Sequence, residues 1–322
     1  MRKWILILSA VVVLLALAFV NRWSVVMTAM SLMGPPALLE REDERGAAWF
    51  DDYYTVFGID ERTFAIGETR YWQRNFNYLI VGDDRAVLFD AGPGVRDIRA
   101  VVRSLTDLPV VFMPSHFHYD HVANGVEFEN IAIVDLPYLR ERMSEGRLSL
   151  TLDEHLGRLE GFGLPAFRVD EWWPPGTTVD LGNREVVVVH TPGHTLDGVS
   201  LVDQQAGYAF TGDFFGPGSL LEMVPTGGMG DYLLGVDNLL SYVEPDTRLF
   251  AAHRDLLADP VPKGVPETTV ADLQALQRLL PRIRDGVADG QGVFPVVYPA
   301  NENVALWANP RWMQDWERSS IE

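Results

Sequence analysis

From residue 53 onward the chain reads as short hydrophobic runs separated by glycine, proline and aspartate. Residues 77–81 and 86–89 predict a pair of strands around the tight turn Gly82-Asp83-Asp84. Gly92-Pro93-Gly94 closes that unit, and residues 95–105 have helical spacing. Residues 109–113 predict a buried strand, 131–134 another, and 136–145 a charged helix. The run 185–189 (Glu-Val-Val-Val-Val) is the strongest strand signal in the chain, because β-branched side chains suit a pleated surface. Short strands follow at 208–210 and 248–251. Near the end, Val270, Leu273, Leu276, Leu279 and Leu280 share one face of a helix predicted over 267–280, which Pro281 should end or kink. Strands and helices alternating in this way, with hairpins among them, suggest two sheets sandwiched between helices. The domain is expected over 51–262, with 263–322 a C-terminal helix and tail packing on it.

The start of the chain has a different pattern. Residues 4–20 are uncharged and largely apolar, flanked by Arg2, Lys3 and Trp4 on one side and Arg22 and Trp23 on the other. About seventeen helical residues cover roughly 25 Å, close to the roughly 30 Å of a hydrocarbon core. Residues 1–23 therefore predict a transmembrane anchor, with a cleavable signal peptide as the rival reading. Either places the folded body outside the membrane, periplasmic or extracellular: anchored in the first case, secreted in the second. Residues 24–50 read as a linker, ending in a charged stretch at 40–45.

Composition narrows the chemistry. The 322 residues are 47% hydrophobic, enough for a sizeable core, and the formal charge is −19. That charge argues against nucleic acid, whose phosphates call for a basic surface. Cysteine is absent, so any metal must be held by nitrogen and oxygen.

Of seven histidines, three lie in the run His116-Phe117-His118-Tyr119-Asp120-His121. Neutral imidazole and ionised carboxylate are the ligands that hold zinc, iron or manganese. Four more residues with the same chemistry end predicted strands: Asp90, His194 (in Thr191-Pro192-Gly193-His194), Asp213 and His253. Strand ends carry sites because the loops there converge on one rim. His190 reads as packing behind the Thr-Pro-Gly-His turn, and His155, in Asp153-Glu154-His155, as a solvated helix residue. Trp172 and Trp173 could line a substrate groove or simply pack on the sandwich.

In this order and spacing, these motifs resemble those of the metallo-β-lactamase superfamily across roughly residues 71–253. The resemblance implies an α/β fold, a four-layer αββα sandwich with two metals at one edge of the sheets. By position, it implies that His116, His118 and His194 bind the first metal. Asp120, His121 and His253 then bind the second, Asp213 bridges the two, and Asp90 orients a ligand histidine. The spacing is physically reasonable in its own right. Residues 116 and 118 face the same side of an extended chain, and a turn after them directs Asp120 and His121 to a neighbouring volume. Two divalent ions so placed, most readily Zn2+ with Fe or Mn as alternatives, would share a hydroxide as nucleophile, with Asp120 as the catalytic group that orients it or takes its proton.

Departures from the family's branches refine the expectation. Branches with a cysteine ligand are excluded. An aspartate at position 213 resembles the hydrolases of thioesters, lactones and phosphoesters. The expected activity is hydrolysis of an ester-like, thioester or lactone bond in a small molecule. A phosphodiesterase or β-lactam hydrolase with the same site is the first alternative. A mononuclear iron sulfur dioxygenase is the second, disfavoured because all seven ligand positions are retained. Specificity is expected to lie in the 135–180 segment and the tail.

Overall fold

The computed structural model describes residues 22–319 and, before them, positions 4, 7, 8, 11, 13 and 19. Among the described residues the strands form an eight-stranded sheet, a six-stranded sheet and two small three-stranded sheets. The eight-stranded sheet runs in the order Ala48–Trp49, Thr55–Asp60, Thr63–Gly67, Phe76–Val81, Ala86–Phe89, Val110–Met113, Asn130–Val134, Glu171–Trp173. The six-stranded sheet runs Thr178–Asp180, Glu185–His190, Val199–Asp203, Tyr208–Gly212, Arg248–Ala251, Glu267–Thr269.

The valine run explains the layering. In the strand Glu185–His190 successive side chains point to opposite faces. Val186 and Val188 join the core between the sheets with Leu79, Leu88 and Phe210, while Val187 and Val189 join a second core on the outer face. Both faces are covered, so the strand is apolar throughout rather than alternating. The outer core is completed by the helices Met229–Leu240 and Val270–Arg284, and the helix Arg99–Leu105 buries Val101 and Val102 in the core of the first sheet. The result is the expected αββα sandwich.

One local expectation is narrowed by the structure, since Pro281 does not end its helix, and another, that of His155, differs from it. The last helix begins at a capping box, Thr269 with Asp272, and runs through Pro281 to Arg284. Proline removes one backbone donor at a cost of about 3 kcal/mol. Continuing the helix keeps Ile283 buried beside Leu279 and Leu280, and each such side chain contributes about 1.5–3 kcal/mol. His155 is not solvated. Its turn is folded inward by a Thr151–Glu154 capping box, and the ring lies buried with its centroid 6.4 Å from that of Tyr119. Burial lowers its pKa to about 4.

The expectation of a membrane-anchored or exported protein is corrected: among the described residues no helix is long and apolar enough to cross a membrane. The helix Arg22–Ser31 has ten residues, roughly 15 Å of rise against a hydrocarbon core of roughly 30 Å. It packs on the domain instead, with Met27 buried against Tyr119 and Leu156. Most of the stretch 4–20, on which the anchor and signal-peptide readings rested, lies outside the described residues. Downstream, Glu44 of the charged segment is held by Arg254, with oxygen–nitrogen distances of 2.7 and 3.0 Å.

Candidate metal centre

One edge of the sandwich gathers the ends of strands from both sheets. The two sheets are joined there by a hydrogen bond from Val199 N to Ser115 O at 2.8 Å, and Ala252 N donates to Gly212 O at 3.0 Å. Gly212 has φ +54°, and a Cβ on it would meet Ser115 Cβ at 2.5 Å, so glycine lets the strand pass close enough to bring Asp213 to the rim. His118 is extended at the start of the short helix Tyr119–Val122, whose first turn carries Asp120 and His121.

All seven candidate ligands meet here, in two groups. His116, His118, His194 and Asp213 form one, and Asp120, His121 and His253 the other. Within each group the potential ligand atoms lie within 4.8 Å of one another. The Asp213 carboxylate stands between them. Its Oδ2 is 3.5 Å from His194 Nε2 and 4.0 Å from His116 Nε2. Its Oδ1 is 3.2 Å from His253 Nε2 and 3.5 Å from His121 Nε2.

The far nitrogens of four rings are fixed by acceptors, which determines what the near nitrogens present. Nδ1 of His194 faces Leu221 O at 2.8 Å, and that of His253 faces Gln73 O at 2.8 Å. Nδ1 of His121 faces Asp90 Oδ2 at 2.9 Å, and that of His116 faces Ser115 Oγ at 2.9 Å. Ser115 Oγ in turn donates to Asp90 Oδ2 at 2.9 Å, and Ser115 N to Asp90 Oδ1 at 2.6 Å. Asp90 thus orients two rings, and it does so at φ +67°, a conformation rare for a residue other than glycine. With Nδ1 donating, each Nε2 carries a lone pair toward the centre. His121 and His253 then oppose lone pairs 3.4 Å apart, an arrangement that needs a proton or a cation between them. His116 Nε2 and Asp213 Oδ1 are buried without a hydrogen-bond partner. The donor set and these orphaned atoms fit divalent metal ions.

The charges agree. Burial, followed by the neighbouring His121 and His118, holds the His116 pKa well below the usual value. Burial acts in the same direction on His118 and His194, leaving the neutral form that binds metal. Burial opposes charge on His253 too, but Asp213 and Asp120 outweigh it and raise its pKa to about 10. His121 is likewise drawn upward by Asp120, Asp213 and Asp90 against its burial. Burial would raise Asp120, yet His121 and His253 hold it low, so the carboxylate is ionised.

Two residues that support Asp120 were not singled out from sequence. Gln73 Nε2 donates to Asp120 Oδ2 at 2.9 Å, and Asn75 Nδ2 donates to Asp120 O and Oδ2 at 2.8 and 3.1 Å. Tyr119 OH bonds Gln73 Oε1 at 2.8 Å and Glu160 Oε1 at 2.9 Å. Gln73 and Asn75 carry no local signal: both precede the strand Phe76–Val81, and Arg74 between them sits at φ +51°. His190 packs behind the site as expected, with Nε2 at 2.9 Å from Leu196 O. Trp172 and Trp173 lie on the sheet's edge strand: Trp172 stacks with the Arg140 guanidinium at 4.5 Å and Trp173 Nε1 donates to Glu171, so both pack rather than reach the centre.

Comparison with known proteins places this geometry. The family model described as the metallo-beta-lactamase superfamily matches residues 70–253. The chain is similar to acyl-coenzyme A thioesterase MBLAC2 of Gallus gallus, 25% identical over 207 residues, covering 59% of this chain and 73% of that protein. It is also similar to hydroxyacylglutathione hydrolase GloC of Haemophilus influenzae, 24% identical over 187 residues, covering 56% of this chain and 86% of that protein. Among solved structures, a metallo-beta-lactamase from Pontibacter korlensis aligns with a TM-score of 0.50 and 17% identity, covering 71% of this chain and 99% of that one; the likeness is one of fold.

Proposed function

The chain belongs to the metallo-beta-lactamase superfamily and is a hydrolase, and from that premise we propose that it uses two divalent metal ions to hydrolyse an ester-like bond, in the first instance a thioester. The observation that carries the two-metal reading is the division of the Asp213 carboxylate, one oxygen toward each histidine group. The name of the acyl-coenzyme A thioesterase relatives supports the thioester, with lactones and oxygen esters as chemical neighbours. Histidine-rich ligation favours zinc over iron or manganese.

Ions held by these residues would supply Lewis acidity, lowering the pKa of bound water and polarising the substrate carbonyl. The chain's residues do the positioning. Asp213 fixes the spacing between the two groups. Asp120, held ionised and pinned by Gln73 and Asn75, is placed to orient the attacking water and take its proton. In the overall reaction a C–O bond forms from the water oxygen to the acyl carbon and the C–S bond breaks. The acid and the thiol leave, the thiol having gained a proton.

The test is a substrate panel with zinc-loaded protein: thioesters, lactones, β-lactams and bis-nitrophenyl phosphate. The reading expects thioester turnover that Asp120→Asn reduces sharply. Turnover of β-lactam or phosphodiester alone, or of nothing with two metals bound, would overturn it.

A further inference from the structure

A cavity of about 320 Å³ opens directly beside the metal centre, with His194, Asp213, His253 and Gln73 on one side of it. The remaining walls are apolar, chiefly Trp72, Leu220, Met223, Leu257 and Trp307. They come from segments far apart in sequence. The strand Gly218–Leu221 pairs in parallel with Val304–Ala308, so that Leu221 lies opposite Trp307 and the C-terminal strands become a wall of the site. This wall is tied to the centre, since Leu221 O is the acceptor that orients the His194 ring.

The one arginine of the lining is already paired, and the carboxylate of Asp255 accepts from the main chain. Arg254 directs both terminal nitrogens to Glu44 and its Nε to Gly264 O at 2.8 Å, and its side chain is 1% exposed. Asp255 Oδ1 accepts from Leu257 N at 3.1 Å. No cation among the described lining residues is therefore free to receive a phosphate or carboxylate in the cavity, while apolar surface is plentiful. A substrate whose carbonyl lies at Asp213 and His253 can place a hydrocarbon chain here with gain, and a polar group only with loss.

We propose that this cavity binds the acyl chain of the substrate, and that the enzyme is selective for apolar acyl groups, with Trp307 and Met223 limiting their length. The proposal rests on the thioester reading above, and it places the thiol leaving group outside the cavity. Burying one methylene is worth about 0.8 kcal/mol, equivalent to about a fourfold gain in kcat/KM for each methylene that fits.

The experiment is a series of straight-chain acyl thioesters of N-acetylcysteamine, from acetyl to dodecanoyl, with the leaving group held constant and the protein zinc-loaded. The expected result is kcat/KM rising severalfold per methylene and then levelling once the cavity is full. Met223→Trp should move the plateau to shorter chains and Trp307→Ala to longer ones, opposite shifts that general damage would not produce. Calorimetric binding of 1-decanol to the zinc-loaded protein gives a readout independent of turnover, expected to weaken at least tenfold in Met223→Trp. Hydrolysis indifferent to chain length would overturn the acyl cavity and leave the hydrolase reading standing. Absence of thioester turnover together with decanol binding that Met223→Trp weakens would support the cavity and overturn the thioester reading. Absence of decanol binding would overturn the cavity in either case.

Discussion

Gln73 holds Asp120 through its side chain, Nε2 to Oδ2 at 2.9 Å, while its main-chain carbonyl accepts from His253 at 2.8 Å. One residue thus steadies two of the three candidate ligands of the second group, and only one of those contacts depends on its side chain. Gln73→Ala should lower the affinity of that group for metal by about 10–100-fold, the usual consequence of losing a partner behind a ligand. The first group should keep its affinity. Competition with a graded series of chelators measures both, and equal loss at the two sites would contradict the assignment.

Asp213 stands between the two histidine groups, and the proposed function makes it the ligand they share. Asp213→Ala should bind one ion fewer per chain and lose most activity, read by elemental analysis of dialysed protein alongside the thioester assay. Wild-type metal content in that variant would refute the bridging role.

Asp90 separates two effects, because its carboxylate orients rings and its backbone sits at φ +67°. Asparagine tolerates that conformation but offers an amide where an acceptor is needed. Asp90→Asn should fold normally and bind metal about 10–100-fold more weakly. Asp90→Val should add a loss of stability of about 1–3 kcal/mol, since a β-branched residue is strained there. Denaturant unfolding distinguishes the two, and equal stabilities would contradict the strain argument.

Glu68 is buried near the centre, accepting from Tyr53 OH at 2.7 Å and Asn77 Nδ2 at 3.0 Å. Burial, the dominant cause, raises its pKa from 4.5 to about 7 despite those hydrogen bonds. A folded-state pKa above the unfolded value means that the folded protein binds the proton more tightly. The stability this contributes is fully present below pH 4.5 and is lost as pH rises through about 7. A shift of this size corresponds to roughly 3 kcal/mol. Glu68→Gln should remove that slope, so unfolding free energies of wild type and variant should diverge by about that amount across the window. Parallel curves would show that Glu68 does not titrate there.

Much of the site was legible in the sequence, for a physical reason. Asp90, His194, Asp213 and His253 follow buried strands, and parallel strands deliver their ends to one edge, so local pattern and tertiary position coincide. The run from His116 to His121 needed only an extended stretch and a helix start. Gln73 was not legible, because its partner Asp120 is 47 residues away and an amide before a strand is unremarkable. His155 was misread because Asp153-Glu154-His155 has the composition of a solvated turn, whereas a capping box and Tyr119 draw the ring inside. Specificity was expected in the 135–180 segment and the tail; within the first, Trp172 and Trp173 pack on the sheet edge. The tail reaches the cavity wall through the pairing of residues 218–221 with 304–308, a contact no local pattern encodes.

The most direct test of the two-metal hydrolase is metal stoichiometry set beside the reaction catalysed. Protein dialysed against zinc and analysed by inductively coupled plasma mass spectrometry should hold two ions per chain and hydrolyse thioesters at the same rate with and without oxygen. One iron per chain, with oxygen uptake and no hydrolysis, would contradict the account.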